Sequence, residues 1–308
     1  MSRTEGLLRL IEENCPGAAE RVLLSSLTTW RTGGPAVSVQ VRSEEMLAGL
    51  LELAWREGIP WYVLGRGSNV LADDRGCEEL VIRLGGQLHR SRWNRNGGYW
   101  TLRSGAGVRL PSMSGAACTR GASGLEFAVG IPGTVGGALF MNAGAYGSRI
   151  SNPLVRLTAL DRKGSRHIIE EKDCRFGYRS SRFQEEDWII TGAEFRLERE
   201  DPALLRREAR RILQVRRDKF PLEYPNAGSV FRKPPEGIPP GKLIEDAGLK
   251  GLSAGGAMVS PKHANFIVNT GTATSKDIAE LVNRVREAVL ARTGITLKEE
   301  IRYLGRKR

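Results

Sequence analysis

Gly130-Ile-Pro-Gly-Thr-Val-Gly-Gly137, continuing through Ala138 to Asn142-Ala-Gly-Ala-Tyr-Gly147, is the stretch on which the fold turns. Glycine at this density serves close packing, because a residue without a Cβ lets another surface approach the backbone. One account is a glycine-packed helix and loop. The other is a binding wall, in which Thr134 and Asn142 stand beside bare backbone that suits a pyrophosphate or a flat ring.

A second cluster, Gly65-Arg-Gly-Ser-Asn69, follows the short apolar run Trp61 to Leu64. Its paired glycines let N–H groups approach a phosphate, and Ser68 and Asn69 add side-chain donors and acceptors. The dinucleotide fingerprint asks for a third glycine where Val70 stands and for a helix where Ala72-Asp-Asp-Arg-Gly76 reads as a turn. A Rossmann site is therefore disfavoured. Two glycine clusters in one chain make a shared dinucleotide ligand the simpler account.

Outward from these clusters the chain divides into three units. In residues 1–85, Ser43 caps a helix with Glu44 and Glu45 in its first turn and Leu47, Leu50, Leu51 and Ala54 on one face, ending at Gly58. Strand-like runs at Trp61 to Leu64 and Leu80 to Leu84 make this a small α/β unit. Residues 86–199 read as α+β, with strands at Tyr99 to Arg103, Leu154 to Leu160, His167 to Ile169 and Trp188 to Leu197, and a hairpin turn at Asp161-Arg-Lys-Gly164. Asp201 then caps a helix with Pro202 at its first position and Leu205, Ala209, Ile212 and Leu213 on its buried side. Residues 200–308 form a third, α/β unit, with a helix from about Ser275 to Arg292 that stops at Gly294.

At 308 residues the chain has room for two or three domains. Its net charge of +12 is densest from Arg206 to Lys219 and in the tail Arg306-Lys-Arg308. Aromatic residues are only 6% and no basic-aromatic repeat occurs, so a cleft for polyanionic small molecules is favoured over nucleic acid. Cys15, Cys77, Cys118 and Cys174 show no CxxC pair and no metal-ligand spacing, the pattern of a reduced, metal-free cytoplasmic protein. The amphipathic start, Met1 to Asn14, lacks an apolar signal core, and no run approaches the ~18 apolar residues of a membrane span.

Tyr224-Pro-Asn-Ala-Gly-Ser-Val-Phe-Arg232 sets one hydroxyl, Ser229, in a loop softened by Gly228, with Arg216, Arg217, Lys219 and Lys242 close in sequence. An anion beside Ser229 would meet these cations. Attack by the serine needs a histidine base, and the nearest, His263, is not tied to it by any local pattern. Phe176-Gly-Tyr-Arg-Ser-Ser181 places Tyr178 and Arg179 beside a glycine bend, where Arg179 can fork onto a carboxylate. Leu297-Lys-Glu-Glu-Ile301 offers Glu299 and Glu300, which alone would be a solvated charge pair. Gly251-Leu-Ser-Ala-Gly255 fits the G-x-S-x-G elbow in letters, but no buried strand precedes it and His263 follows too closely.

Taken in order, Thr28-Thr-Trp-Arg-Thr-Gly-Gly34, the two glycine clusters, Phe176 to Ser181, Pro225 to Phe231, Gly241-Lys-Leu-Ile-Glu-Asp-Ala-Gly-Leu-Lys-Gly251 and Leu297 to Gly305 resemble the UDP-N-acetylenolpyruvoylglucosamine reductase (MurB) family, over about residues 25–305. Gly255 to Asn269 looks like its shorter, type II branch. The resemblance implies a two-part FAD-binding fold of the vanillyl-alcohol oxidase (PCMH) type, plus a C-terminal α/β substrate-binding domain with a catalytic tail. It implies that NADPH reduces FAD, that hydride passes to the enolpyruvyl group of a UDP-sugar in peptidoglycan precursor synthesis, and that the resulting enolate is protonated.

By the same resemblance Ser229 is the proton donor, Arg179 holds the substrate carboxylate and Glu300 assists, with Glu299 as its adjacent alternative. Arg31, Gly65, Arg66, Gly67, Ser68, Asn69, Gly130, Gly133, Thr134, Gly136, Gly137, Asn142, Gly144 and Ala145 would bind FAD. Tyr178, Lys219, Asn226, Lys242, Lys262 and His263 would face the substrate, with no metal and a monomeric chain. Another FAD oxidoreductase of the same fold, acting on a sugar or alcohol, is the competing enzyme class. A nucleic-acid binder is the competing non-enzyme.

Overall fold

The computed structural model describes residues 3–305, with side chains from Glu5; the basic tail from Arg306 to Arg308 lies outside the described residues. Ser43 accepts the Met46 N–H and starts the helix Glu44–Arg56, whose Leu47, Leu50, Leu51 and Ala54 are buried. These apolar side chains, one turn apart, cover a four-stranded sheet. Its order is Ala19–Leu23, Pro35–Val41, Leu80–Leu84, Trp61–Val63, and the last three strands run parallel. The α/β reading of this part is met, with the strand Trp61–Val63 one residue shorter than expected.

The second sheet is antiparallel throughout. Arg166–Glu170, Leu154–Leu160, Ile189–Arg199, Tyr99–Gly105 and Ser91–Asn96 lie side by side, with Ala122–Ser123 added at the end of the long strand. The Asp161 hairpin forms as expected: the Gly164 N–H meets the Asp161 carbonyl at 2.9 Å, and the Asp161 carboxylate accepts the N–H groups of Lys163 and Ser165. Helices Leu110–Arg120 and Val135–Phe140 fill the core on this sheet. The glycine-rich stretch begins that second helix, which Thr134 caps by accepting the Gly137 N–H.

Helix Pro202–Lys219 is capped by Asp201 and packs Leu205 and Ala209 against Cys118 of helix Leu110–Arg120. One neighbouring helix covers only a narrow stripe. Leu213, expected on the buried side, is accordingly 37% exposed. The C-terminal part joins the short sheet Ser253–Ala254, Ala257–Val259, Ile267–Asn269 to the helix Ser275–Thr293. That helix has a reciprocal cap between Thr274 and Asp277 and stops at left-handed Gly294.

Several connections fix this last part onto the first. Strand Arg302–Leu304 pairs in parallel with Val70–Ala72. Trp30, wholly buried, donates its indole N–H to the Ile267 carbonyl at 2.8 Å, while Asn269 donates back to the Trp30 carbonyl at 2.8 Å. Asp74 accepts both the N–H and the hydroxyl of Ser275, at 2.7 and 2.8 Å. Among the described residues no helix is long and apolar enough to cross a membrane.

Candidate active site

The two glycine clusters meet. Ser68 donates to the Pro132 carbonyl at 3.2 Å, and a Cβ on Gly65 would stand 2.8 Å from the Thr134 hydroxyl. Gly67, at φ +60°, has the Leu27 carbonyl 2.3 Å from where its Cβ would be, so both its backbone angle and its neighbour exclude a side chain.

Three of the six glycines of the second cluster answer to packing: Gly130 lies under Arg216, Gly136 against Ala106 and Gly144 against Ser148. Gly137 does not, since a methyl there would meet only ordinary contact with Thr134. Asn142 is buried at φ +43°, donates to the Gly177 carbonyl at 2.9 Å, and leaves its Oδ1 buried with no partner among the described residues. Bare backbone at Gly137 and an unmatched acceptor at Asn142 fit a bound flavin nucleotide better than a self-contained loop. Packing thus accounts for part of the cluster and leaves Gly137 and Asn142 open to a ligand.

Arg179 projects from the next segment at φ +56°, a left-handed conformation uncommon for a residue with a Cβ. Four of the five non-glycine residues with positive φ among the described residues, namely Arg31, Asn142, Tyr146 and Arg179, fall in the motif segments, and strained backbone of this kind clusters at functional sites. The Arg179 Nε donates to Glu300 Oε1 at 2.7 Å, and an Nη donates to the Gly144 carbonyl at 3.1 Å. Ser181 and Gln184 anchor the same turn on the Phe140 carbonyl.

Glu300 arrives on an extended segment laid antiparallel against the Ser229 loop. The Glu300 N–H meets the Val230 carbonyl at 2.7 Å and the Arg232 N–H meets the Lys298 carbonyl at 2.8 Å, flanking a Phe231–Glu299 bridge. Successive residues of extended chain face opposite ways. Glu299 therefore turns to the Phe231 side, where it accepts from Arg286 at 3.2 Å and from the Tyr303 hydroxyl at 2.7 Å. Glu300 turns to Arg179. Burial pushes the Glu300 carboxyl above its ordinary value, against the opposing pull of Arg179 and of Arg232, whose Nε is itself buried and unpartnered among the described residues.

Asn265, not anticipated from sequence, pins the Ser229 loop by donating to the Phe231 carbonyl and accepting its N–H, at 2.9 and 3.0 Å. Its one legible sign is a polar residue at the edge of the apolar run Phe266 to Val268. Arg216, one of the cations near Ser229 in sequence, is partly withdrawn from water: burial depresses its pKa, Tyr146 supports it, and its guanidinium lies 4.9 Å over Phe220.

The other sequence candidates separate. Tyr178 joins the centre, its hydroxyl accepting the Lys233 N–H at 3.3 Å and Arg179 lying 5.3 Å from its ring. Asn226 is spent within its own turn, on Gly228, Tyr224 and Pro221. Lys262 donates to the Arg217 carbonyl at 2.7 Å, and Lys242 pairs with Asp246 at 2.9 Å. His263 sits among Phe220 and Phe266, and burial lowers its pKa. Lys219, Arg31 and Arg66 are exposed, while Ala145 belongs to a two-residue hairpin strand. Ser253 of the elbow-like sequence is exposed and donates to Gly251, with no buried strand before it.

Residues 220–304 match the family described as UDP-N-acetylenolpyruvoylglucosamine reductase, C-terminal domain, and residues 35–170 match an FAD binding domain. UDP-N-acetylenolpyruvoylglucosamine reductase of Heliobacterium modesticaldum is 42% identical over 283 residues, 92% of this chain and 89% of that one. The chain belongs to the UDP-N-acetylenolpyruvoylglucosamine reductase family. The Moorella thermoacetica member is 44% identical over 92% of this chain and 91% of its own. The crystal structure of UDP-N-acetylenolpyruvylglucosamine reductase (MurB) from Thermus caldophilus superposes with a TM-score of 0.79 at 35% identity, covering 93% of this chain and 98% of that one. The mixed α/β fold expected from the sequence, a flavin-binding part followed by a MurB C-terminal part, is the family's.

The Glu300 carboxyl gives this MurB-family site a pH signature. Its folded pKa is raised, so between the ordinary carboxyl value of 4.5 and the raised value the folded state holds more protons than the unfolded. Stability from this group is present at the acid end and is lost as pH rises through that window. Glu300→Gln, which cannot ionise, is expected to flatten this part of the profile; urea midpoints of both proteins from pH 4 to 8 check it.

Proposed function

We propose that this chain catalyses the NADPH-dependent, FAD-mediated reduction of UDP-N-acetylenolpyruvoylglucosamine to UDP-N-acetylmuramate, in peptidoglycan precursor synthesis, as a monomer in the cytoplasm. The observation that carries the reading is the Arg179–Glu300 pair, anchored on Gly144 of one glycine cluster and laid against the Ser229 loop. When bound, FAD supplies the hydride chemistry that takes two electrons from NADPH to the outer carbon of the enolpyruvyl double bond.

The chain's own residues do the rest. Gly65, Gly67, Ser68, Gly133, Thr134, Gly137 and Asn142 form the wall against which the cofactor lies, with Arg31 and Arg66 at its margin. Two of the five guanidinium donors of Arg179 are used on Glu300 and Gly144. The remainder hold the substrate carboxylate, on which negative charge grows as hydride adds. Glu300 fixes the plane of that guanidinium, and Ser229 delivers the proton that quenches the enolate carbon. Tyr178 closes the same side, while Lys219 and Lys262 form the outer basic margin for the UDP moiety, with the neutral His263 ring against Phe220 beside them.

A visible spectrum of the purified protein before and after NADPH tests this. Flavin absorbance that bleaches with NADPH, and returns only when the enolpyruvyl sugar is added, is the expected result. A colourless protein that added FAD does not reconstitute overturns the reading, and rapid return with oxygen and a simple sugar points to another flavin oxidoreductase.

A further inference from the structure

Asn69 closes the first glycine cluster, yet both of its amide groups are turned to the segment Glu300 to Arg302. Its carbonyl accepts the Arg302 N–H at 2.9 Å, and its side-chain amide donates to the Glu300 carbonyl at 3.0 Å. One residue thus grips the backbone on either side of buried Ile301. The parallel ladder between Val70–Ala72 and Arg302–Leu304 ends at Arg302, so Glu300 lies beyond its last pair. The Asn69 amide carries the attachment past that end.

The rest of the loop is held on two other sides. The N–H and hydroxyl of Thr29 donate to the Gly67 carbonyl at 3.2 and 3.3 Å, and Ser68 donates to Pro132. A five-residue loop is therefore tied at once to the Thr28 turn, to the second glycine cluster and to the Glu300 backbone.

We propose that Asn69 is a positioning residue for Glu300: it fixes the height of that carboxylate against Arg179 from within the flavin loop, and its side-chain amide is not a flavin ligand. The role of Glu300 rests on the reductase reading above; the backbone grip does not. A misplacement of about 1 Å at a reacting geometry costs on the order of 10²-fold in rate.

The test uses Asn69→Asp, equal in size but unable to donate when ionised, beside Asn69→Ala, in the purified flavoprotein. Hydrogen exchange read by mass spectrometry is expected to quicken about tenfold or more in residues 298–304 and to stay unchanged in residues 130–147. FAD affinity, from quenching of flavin fluorescence, stays within about threefold. Reduction of the flavin by NADPH keeps its rate, whereas kcat with the enolpyruvyl sugar falls by about 10- to 100-fold at near-constant KM.

Loss of FAD affinity with unchanged exchange at residues 298–304 would make Asn69 a cofactor ligand and overturn the proposal, as would wild-type kcat in both variants. If Asn69→Ala fails to fold, the isosteric Asn69→Asp decides alone. If the wild-type protein does not turn over the enolpyruvyl sugar, the reductase reading fails instead, while exchange and flavin affinity still decide the grip.

Discussion

Ser229→Ala is expected to leave reduction of the bound flavin by NADPH within about twofold of wild type and to slow product formation by about 10²- to 10⁴-fold, the range for losing a positioned proton donor. In the proposed role the hydroxyl acts only after hydride has reached the substrate, so the two half-reactions separate. The substitution is structurally mild. Ser229 is half-buried in a loop whose shape is set by its neighbours: the Asn226 turn, the Asn265 pair on Phe231 and the Val230–Glu300 hydrogen bond. Stopped-flow bleaching by NADPH, then reoxidation by the enolpyruvyl sugar, reads both steps in one sample. Equal loss in both, with the fold intact, would remove the proton-donor role and leave Ser229 as part of the loop.

Arg179→Ala is expected to have the other large effect, on both catalysis and stability. Its side chain and that of Glu300 are 22% and 15% exposed, so the pair is largely withdrawn from water. Removing one partner of such a pair leaves the other charge uncompensated, at a cost of about 3–5 kcal/mol. Glu300 would bind a proton instead, its pKa rising further with the opposing pull of Arg179 gone. The double variant Arg179→Ala with Glu300→Gln removes the uncompensated charge and is expected to regain part of the stability and none of the activity. Urea denaturation together with kcat/KM separates the two losses. Recovery of activity in the double variant would mean that Arg179 serves only to neutralise Glu300.

The elements that repeat a local pattern were legible from sequence. Ser43 and Asp201 cap helices whose apolar spacing continues for several turns, and Gly294 ends a third helix in the left-handed conformation that favours glycine; the Thr274 cap of that helix is seen only in the structure. Leu213 failed because the width of a buried stripe depends on how many neighbours cover the helix, which its own sequence does not state. The choice between Glu299 and Glu300 was not legible for a related reason. Two adjacent carboxylates differ only in the face each presents, and that face is set by register with Phe231, far away in the chain. Lys242 and Lys262 looked free as charges, but Asp246 and the Arg217 carbonyl take them up. Asn69 read as a phosphate-loop polar residue because its partner lies 231 residues on.

That separation has a bearing on how the molecule is made. A ribosome will have released both glycine clusters, and every strand of the two larger sheets, before Glu300 emerges. Contacts so distant along the chain are slow to form, since a large loop must close before any gain is realised. The nascent enzyme therefore passes through a period in which both glycine clusters are present and the acidic partner for Arg179 is missing. Translation that halts before Glu300 would yield a chain that carries both glycine clusters yet lacks the carboxylate that meets Arg179.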